Sequence, residues 1–377
     1  MKKTIYCLCL AVLLLFPMIA CGGDAQQPAT VPADQTASEE PEIVVAIETP
    51  DVSEIAEATV PPTEEPIAVP EETPEPTRAP KEGDVAVHFP DYDTGVDADY
   101  SYQSDELRIA ITVHEEILPD VLENRDLPSR YYVADIWVRN IRSMRQLFAK
   151  GQFNRGTLRG DQLAKQGNAI LAINTTHTVN VPELFLDEGK LYLNAKEAKS
   201  WNSKSVCLIY KDGSMKTFYI PKGELDIDKE IANGAWFGWQ FGPIIIRNYK
   251  EGPGATKSKR MGYRARTMLG YYEPGHYAIV VVDHRGDKAR GVSNVMMVDI
   301  MKSVGVRDAF NLDGENSTIL TFMGEVISKP VYNRMPDGTV VYGRPIPNML
   351  GFGEYDAETD AFVDLSTLTA SKFLGKD

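Results

Sequence analysis

Apolar and polar side chains alternate along short segments throughout the chain after about residue 85. From Tyr132 to Arg139 every second position is apolar, the positions between are mixed, and Asn140 ends the run. A period of two is typical of a strand with one buried face. Short apolar runs bounded by turn residues predict nine more strands, over residues 169–173, 206–210, 215–220, 243–247, 267–272, 277–283, 309–312, 319–322 and 346–352.

Helical periodicity is rarer along the chain. Residues 293–304 place Met296, Ile300 and Val304 on one face, and Gly305 follows as a stop signal. A second, shorter helix is predicted over residues 142–149. Because strands outnumber helices without a regular alternation between them, the pattern predicts an α+β fold with a large mixed, mainly antiparallel sheet and few helices.

The first 21 residues have the layout of a secretory signal. Two lysines precede a short apolar run over residues 5–16, and small residues lead to Cys21. The run is shorter than the roughly 20 apolar residues that span a membrane. Met18-Ile-Ala-Cys21 is similar to the lipobox of bacterial lipoproteins, in which the cysteine is acylated. The prediction is an extracytoplasmic protein, lipid-anchored to the cell membrane through Cys21; an ordinary signal peptide cut elsewhere is the alternative.

Residues 22–84 differ in composition from the rest of the chain. They hold 16 acidic residues, two basic ones and 11 of the 24 prolines, a net charge of −14 against −15 for the whole chain. Such a segment buries too little apolar surface to fold, so we predict a disordered acidic Pro/Glu/Thr-rich linker. A folded domain is then predicted over residues 85–355 and a tail over residues 356–377. The near-neutral domain argues against a nucleic-acid partner.

The chain offers little for disulfides or metal ions. Of four cysteines only Cys207 remains in the predicted domain, within an apolar strand, so we predict a buried thiol. The five histidines show no spacing typical of metal ligands. Residues 311–322 begin like a calcium loop, but Phe322 stands where that loop needs a glutamate. We therefore predict no metal and no cofactor.

Polar residues collect at the ends of two predicted strands. Asp283 closes the strand over residues 277–283, and Asn311 to Asp313 close the strand that follows the helix. If these strands are neighbours, both carboxylates lie at the same edge of the sheet, where many folds build sites. Each motif alone has a structural explanation, since Asp-Gly is a common turn signal. Their order along the chain carries more information.

Five separated motifs resemble, in order, those of the phosphodiester glycosidase family, the family of N-acetylglucosamine-1-phosphodiester α-N-acetylglucosaminidase, in its exopolysaccharide-related bacterial branch. The family pattern is Asn-Gly-Gly, Pro-Arg-Thr, Asp-Gly-Arg, Asn-Leu-Asp-Gly-Gly-Gly-Ser-Ser and a late arginine. The counterparts here are Asn174-Thr-Thr, Arg266-Thr, Asp283-His-Arg285, Asn311-Leu-Asp313-Gly-Glu315-Asn-Ser317-Thr, and Arg344. The resemblance covers about residues 132–352.

Several of the family's glycines are replaced by larger polar residues. The replacements are Thr175, Thr176, His284, Glu315 and Asn316. Glycine at such places permits a positive φ or the close approach of a ligand to the backbone. The replacements are therefore expected to narrow or reshape the cleft. Either the substrate differs, or catalysis has been lost while the fold and sugar binding remain.

The resemblance implies hydrolysis of the bond between an anomeric sugar carbon and a phosphodiester oxygen. The leaving phosphate needs charge neutralisation, which the planar fork of arginine supplies, and the attacking water needs a carboxylate base. The implied catalytic residues are Asp313 first, Asp283 second, and Glu315 in place of either. The implied substrate-binding residues are Asn174, Arg266, Arg285, Asn311, Ser317 and Arg344.

Two other functions stay open on the sequence. The first is a surface lipoprotein that binds a glycan or a phosphodiester in the same cleft without turning it over. The replaced glycines favour this function, and the retained Asp, Asn and Arg residues favour the enzyme. The second is a two-carboxylate glycosidase acting on neutral glycans, which leaves three arginines without a role. In each case the partner is a carbohydrate or a sugar phosphate.

Overall fold

The computed structural model describes residues 81–368 and 372–373, apart from residues 87, 92, 94, 120–126, 177–183, 194–203, 257–261, 285–288 and 338. All of them belong to one compact unit, Thr73–Asp377. The predicted signal peptide, Cys21 and the predicted linker up to residue 80 lie outside the described residues, as does Arg285. No helix among the described residues is long and apolar enough to span a membrane.

Strands dominate the described part of the chain. The first twelve are β1 Tyr100–Gln103, β2 Leu107–Glu116, β3 Ser129–Val138, β4 Met144–Phe148, β5 Leu171–Asn174, β6 Phe185–Asp187, β7 Lys190–Leu193, β8 Ser205–Tyr210, β9 Met215–Tyr219, β10 Ala235–Phe241, β11 Ile244–Arg247 and β12 Lys250–Glu251. The others are β13 Arg266–Glu273, β14 His276–Val282, β15 Asp308–Asn311, β16 Leu320–Phe322, β17 Glu325–Val326, β18 Val331–Arg334, β19 Val340–Tyr342, β20 Asn348–Phe352, β21 Tyr355–Asp356, β22 Ala361–Phe362 and β23 Lys372–Phe373.

Helices are few and short. The α-helices are α1 Gly160–Gln166, α2 Ile227–Ala232 and α3 Asn294–Val304. Single 3-10 turns cover Ile141–Ser143, Ala149–Gly151, Ile220–Lys222, Glu315–Ser317 and Leu365–Thr367.

Three large sheets and the two-stranded sheets β18-β19 and β21-β22 occur among the described residues, and their pairings are antiparallel. A nine-stranded sheet has the order β12-β11-β15-β13-β14-β3-β2-β1-β23. A five-stranded sheet has the order β7-β6-β10-β8-β9, and another has the order β17-β16-β5-β20-β4. The predicted α+β class with a large, mainly antiparallel sheet and few helices is confirmed.

The main core lies where the three sheets meet. Its largest cluster combines Ile279 of the nine-stranded sheet, Trp239 of the second sheet and Leu350 of the third. Cys207 belongs to this cluster and its thiol is fully buried, as predicted. A separate cluster covers the other face of the nine-stranded sheet, where α3 packs through Met297 and its neighbours. The nine-stranded sheet is therefore buried on both faces near α3.

The predicted helix over residues 293–304 is confirmed as α3. The Ser293 hydroxyl accepts a hydrogen bond from the Met296 N–H at 3.4 Å, which caps the N-terminus. Gly305 ends the helix with a φ of 84°, a left-handed conformation that glycine adopts without strain.

The predicted helix over residues 142–149 is wrong. Its middle is β4, which pairs along its whole length with β20, and 3-10 turns stand at both ends. The segment is too short for its periodicity to distinguish a strand from a helix. Pairing with β20 makes it a strand. This correction places a strand at the free edge of the third sheet.

The described part of the predicted tail, residues 356–368 and 372–373, packs onto the domain. Phe362 in β22 is buried beside the Leu163 cluster of α1, and Phe373 in β23 is opposite Tyr100 of the nine-stranded sheet. The described residues after position 355 are therefore part of the folded unit.

Candidate active site

The polar residues that the sequence predicted at strand ends lie at one end of the central strands of the nine-stranded sheet. This end of the strands is called the sheet edge. β13 pairs antiparallel with both β14 and β15, and Arg266 at its start is opposite Val282. β14 and β15 therefore run in the same direction and end at this edge, where Asp283 and Asp313 follow. They are not direct neighbours, because β13 lies between them and separates them by two strand spacings, about 10 Å. In the sequence β14, α3 and β15 follow one another, and this order does not show that β13 lies between the two strands in the sheet.

The pleat of β13 divides the candidate residues between two faces of the sheet. Thr267 points toward the third sheet, where its hydroxyl donates to Asn174 Oδ1 at 2.7 Å. Arg266 points the opposite way, and its Nε donates to the Val292 carbonyl in front of α3 at 3.3 Å. The side chains of Arg266 and Asn174 thus lie on opposite faces, and the structure does not gather all the predicted residues around one hollow.

Asp313 is a candidate carboxylate that reaches solvent. Its side chain is 16% exposed, and Oδ2 accepts from the Arg344 guanidinium at 3.1 Å. Oδ1 accepts from the Gly314 N–H at 3.0 Å. Both oxygens are thus held in a fixed orientation, yet a carboxylate has about four acceptor positions, so lone pairs remain for water or substrate. Arg344 is 39% exposed, so this pair lies at the surface.

Asn174 fixes the loop that carries Asp313. Its Nδ2 donates to the Asp313 carbonyl at 2.6 Å, and its Oδ1 accepts from the Ile319 N–H at 3.0 Å as well as from Thr267. Only 2% of Asn174 is exposed. Asn174 therefore holds the loop at both ends, and its predicted role in substrate binding stays a prediction.

Buried polar atoms without protein partners surround the Asp313 loop. Within the described residues, no hydrogen bond reaches Ser317 Oγ, Thr318 Oγ1, Thr176 Oγ1 or Asn311 Oδ1. The other end of the Asn311 amide donates to the Gly242 carbonyl at 2.8 Å. An unsatisfied buried polar atom costs about 1–3 kcal/mol, so a group of them points to bound water or ligand. Ser317 and Asn311 are two of the predicted substrate-binding residues.

Asp283, the second predicted base, is fully buried. Its Oδ1 accepts from the Lys329 N–H at 2.7 Å, and the Tyr132 hydroxyl lies 3.4 Å from its Oδ2. The same hydroxyl donates to the Ile327 carbonyl at 2.8 Å. These contacts fasten the segment after β17 to the end of β14. Asp283 is thus contacted by donors from two segments, and its assignment as the second base stays a prediction.

Arg266 is a buried cation bonded to carbonyl groups. Besides Val292, it donates from Nη2 to the Gly262 carbonyl at 3.2 Å, and no carboxylate of the described residues lies within ion-pair distance. Burial lowers the pKa of its guanidinium to about 10; the Glu315 carboxylate opposes this shift and Arg264 adds to it. A buried cation of this kind makes the sheet edge attractive to anions.

Glu315 is an exposed ion-pair partner of Arg264. Its carboxylate pairs with Arg264 Nε at 3.1 Å, and its side chain is 65% exposed. Its φ of 54° lies in the left-handed region, which fits a position that the family gives to glycine. His284 accepts from the Gly291 N–H at 3.0 Å, and its pKa is lowered mainly by burial, with Arg264 and Arg290 adding to the shift. At neutral pH its imidazole is therefore uncharged.

Sequence reasoning did not assign roles to two residues that support the site. Thr267 holds the Asn174 amide, and the Asn348 side chain accepts a hydrogen bond from the Thr175 hydroxyl. Thr267 directly follows Arg266, and Asn348 comes four residues after Arg344. The signal was a polar residue inside an otherwise apolar strand: Thr267 near the start of β13 and Asn348 at the start of β20.

We expect Asn174→Ala to lower the free energy of unfolding by about 2 kcal/mol, because three hydrogen bonds to the loop and to Thr267 are lost and buried groups remain unpaired. Urea denaturation of the variant and the parent measures this difference. Asn316→Ala is the matched control, since Asn316 is an exposed residue of the same loop and its loss is expected to cost less than about 0.5 kcal/mol. Equal stability of the two variants would contradict the loop-holding role.

The fold and the edge site define an α+β domain with an arginine-paired carboxylate at the end of a central strand. Residues 167–353 match the model of the family described as NAGPA, phosphodiester glycosidase. The chain therefore belongs to the phosphodiester glycosidase family.

Individual relatives are more distant. The SPbeta prophage-derived uncharacterized protein YomE of Bacillus subtilis (strain 168) is 26% identical over 216 residues, which cover 56% of this chain and 32% of the relative. The chain thus spans about a third of that protein's length. The catalytic domain of zebrafish N-acetylglucosamine-1-phosphodiester α-N-acetylglucosaminidase, auto-inhibited by its pro-peptide, shares the fold with 21% identity and a TM-score of 0.54. That match covers 68% of this chain and 86% of the zebrafish chain.

Proposed function

We propose that the chain hydrolyses the bond between a sugar C1 and a phosphodiester oxygen in a glycan or wall polymer. Membership of the phosphodiester glycosidase family supports the type of bond. The observation that carries the proposal is the Asp313 carboxylate: it is held in place at both oxygens, reaches solvent, and lies in a loop with buried hydroxyl groups that have no hydrogen-bond partner among the described residues. Such groups match the many hydroxyls of a sugar.

The residues present fit the chemistry of such a reaction. Asp313 accepts a proton from the attacking water, the new bond forms between that water oxygen and the anomeric carbon, and the bond to the phosphate oxygen breaks. The phosphate leaves as a phosphate monoester that keeps the bonding electron pair. Arg344 has five N–H donors and donates one hydrogen bond to Asp313, so donors remain for the phosphate oxygens. Arg264 and Arg266 add positive potential at the same sheet edge.

We further propose that the domain works outside the cell on a lipid anchor. The support is the lipobox-like sequence before Cys21 and the acidic, proline-rich segment between it and the domain. An acylated cysteine with several chains anchors stably, whereas a single chain does not. Cys21→Ser is expected to move the protein from the membrane fraction to the soluble fraction. An unchanged distribution would count against the anchor without bearing on hydrolysis.

The test of activity is sugar release by the full chain. UDP-N-acetylglucosamine is one available sugar-1-phosphodiester, and a nitrophenyl glycoside of the same sugar lacks the phosphate. We expect free sugar from phosphodiester substrates, in amounts that rise with enzyme concentration, and none from the phosphate-free glycoside. Release from the phosphate-free glycoside alone would support a glycosidase for neutral glycans.

A second candidate function is binding without turnover, and two observations favour it. Asp283 is buried, so fewer carboxylates reach solvent at the sheet edge than the sequence predicted. Glu315, with a positive φ, stands where the family has a glycine. Thermal stabilisation of the protein by UDP-N-acetylglucosamine without any free sugar after long incubation would decide for binding. Sugar release at catalytic turnover would decide for the enzyme.

A further inference from the structure

An isolated β-hairpin begins and ends beside the Asp313 loop. Its strands are β18 and β19, which pair only with each other among the described residues. The Met335 N–H donates to the Thr339 carbonyl at 2.8 Å in the turn between them. No hydrophobic cluster of the described residues includes a side chain from Met335 to Tyr342. This hairpin, residues 331–342, is called the rim hairpin, and it stands outside the layers that form the core.

Hydrogen bonds fix both ends of the rim hairpin at the sheet edge. Before the first strand, the Lys329 N–H donates to Asp283 Oδ1 at 2.7 Å. After the second strand, the Arg344 N–H donates to the Asn316 carbonyl at 2.7 Å, and the Arg344 guanidinium contacts Asp313. The base of the hairpin is therefore held by the strand end and the loop that carry the two candidate aspartates.

Exposed apolar side chains collect near this edge. Four large apolar side chains are exposed among the described residues, and two of them, Met335 at 45% and Tyr342 at 37%, lie on the rim hairpin. A third, Ile117 at 59%, directly follows β2, which ends beside the start of β3 at the same end of the sheet. A single apolar residue is normal at a surface. Three of four at one end of a sheet indicate a place of contact with an apolar molecule.

The rim hairpin has an apolar second strand and little charge. Val340 and Val341 are half-buried, and the exposed Tyr342 follows them. From Met335 to Tyr342 the only charged residue is Asp337. Attachment to an anionic membrane surface requires clustered lysine and arginine residues, which this stretch lacks. Its side chains therefore suit a hydrocarbon chain better than a charged surface.

The position of the rim hairpin indicates which molecule the hydrocarbon belongs to. Arg344 comes two residues after Tyr342, so their Cα atoms are at most about 7.6 Å apart. In the proposed reaction the Arg344 guanidinium contacts the leaving phosphate beside Asp313. A substrate whose phosphate meets Arg344 thus places the group esterified to that phosphate next to Tyr342. A separate protein partner bound here would obstruct the same approach.

We propose that the substrate glycan is joined through its C1 phosphodiester to a lipid alcohol, and that the rim hairpin binds the hydrocarbon chain of that alcohol. The inference rests on the proposed hydrolysis and names the aglycone for it. The oxygen of water bonds to the anomeric carbon, and Asp313 takes the proton. The bond from the anomeric carbon to the phosphate oxygen breaks. The products are the free sugar and the phosphate monoester of the lipid alcohol, which keeps the electron pair.

The test compares two substrates of the full chain that differ only in alkyl length. They are the methyl and the dodecyl phosphodiesters of N-acetylglucosamine 1-phosphate, used below the concentration at which the dodecyl ester forms micelles. Each CH₂ group removed from water contributes about fourfold to affinity. We therefore expect kcat/KM for sugar release to be at least tenfold higher with the dodecyl ester. Equal values for the two esters would overturn the proposal and leave the hairpin for a membrane or protein surface.

Tyr342→Ala is expected to reduce the ratio of the two kcat/KM values to less than about threefold, whereas Tyr342→Leu keeps an apolar side chain and retains most of the ratio. Tyr249→Ala is the matched control. Tyr249 is 64% exposed, and its N–H donates to the Arg307 carbonyl before β15, at the end of the sheet opposite to the site. This control is expected to keep the parent's ratio. A Tyr342→Ala protein that also keeps it would contradict the role of the hairpin.

The methyl ester separates this inference from the proposed activity. Equal hydrolysis of both esters keeps the activity and removes the lipid aglycone. If neither ester is hydrolysed, the activity fails and calorimetry with dodecyl phosphate and methyl phosphate decides the binding. At least tenfold tighter binding of dodecyl phosphate, lost in Tyr342→Ala and kept in Tyr249→Ala, supports the hairpin site, and equal binding of the two probes overturns it. Met335→Ser takes the place of Tyr342→Ala if that variant does not fold.

Discussion

Asp313→Asn is expected to lower kcat for sugar-1-phosphodiester hydrolysis by about 10²–10⁴-fold, the usual contribution of a positioned general base. The amide has the shape of the carboxylate and its oxygen still accepts one of the hydrogen bonds from Gly314 or Arg344. It cannot take a proton from the attacking water. Initial rates of sugar release at saturating substrate measure the change, and the KM for the substrate is expected to change far less than kcat.

Glu315→Gln is the matched control for Asp313→Asn. It makes the same carboxylate-to-amide change two residues away, on a side chain that is 65% exposed and paired with Arg264. We expect a change in kcat of less than about threefold, since a surface ion pair contributes at most about 1 kcal/mol. A large loss with Glu315→Gln, together with an active Asp313→Asn, would move the base to Glu315. Two active variants would leave the loop without a catalytic carboxylate.

The sequence was informative about which residues collect at the sheet edge and less informative about their surroundings. Asp283 and Asp313 each end an apolar strand, and both do lie at one edge. Their different burial depends on contacts from distant segments, such as the Lys329 N–H on Asp283, that no local pattern contains. Arg266 shows a related limit. Its neighbour Thr267 faces the third sheet. Because successive side chains of a strand point to opposite faces, Arg266 lies on the face that α3 covers.

The wrong helix over residues 142–149 had a further consequence. A helix there hides the alternation of β4, which places Met144 and Phe148 at the main core and Leu147 in a separate cluster with α1. Pairing of β4 with β20 is a contact between residues about 200 positions apart. Tertiary contacts of this kind override weak local preference, whereas strongly periodic segments such as α3 are decided locally.

Asp187→Asn is expected to stabilise the protein by about 3–4 kcal/mol at pH 8. The pKa of this carboxyl group is raised from 3.8 to about 7, chiefly by burial and then by Glu188, while Arg145 and Lys190 lower it. Between these two pH values the folded state binds more protons than the unfolded state, so stability falls as the pH rises. A shift of about three units corresponds to about 4 kcal/mol, and asparagine avoids this penalty because it does not ionise.

The pH dependence distinguishes this effect from a simple change in packing. Denaturant unfolding at pH 5 and pH 8 is expected to show an advantage of Asp187→Asn that is about 2 kcal/mol larger at pH 8, because at pH 5 only part of the ionisation penalty is present. Asp97→Asn, a change at an exposed aspartate, is expected to alter the stability by less than about 0.5 kcal/mol at both pH values. An equal advantage at the two pH values would show that the Asp187 carboxyl group is not held in an environment that resists its ionisation.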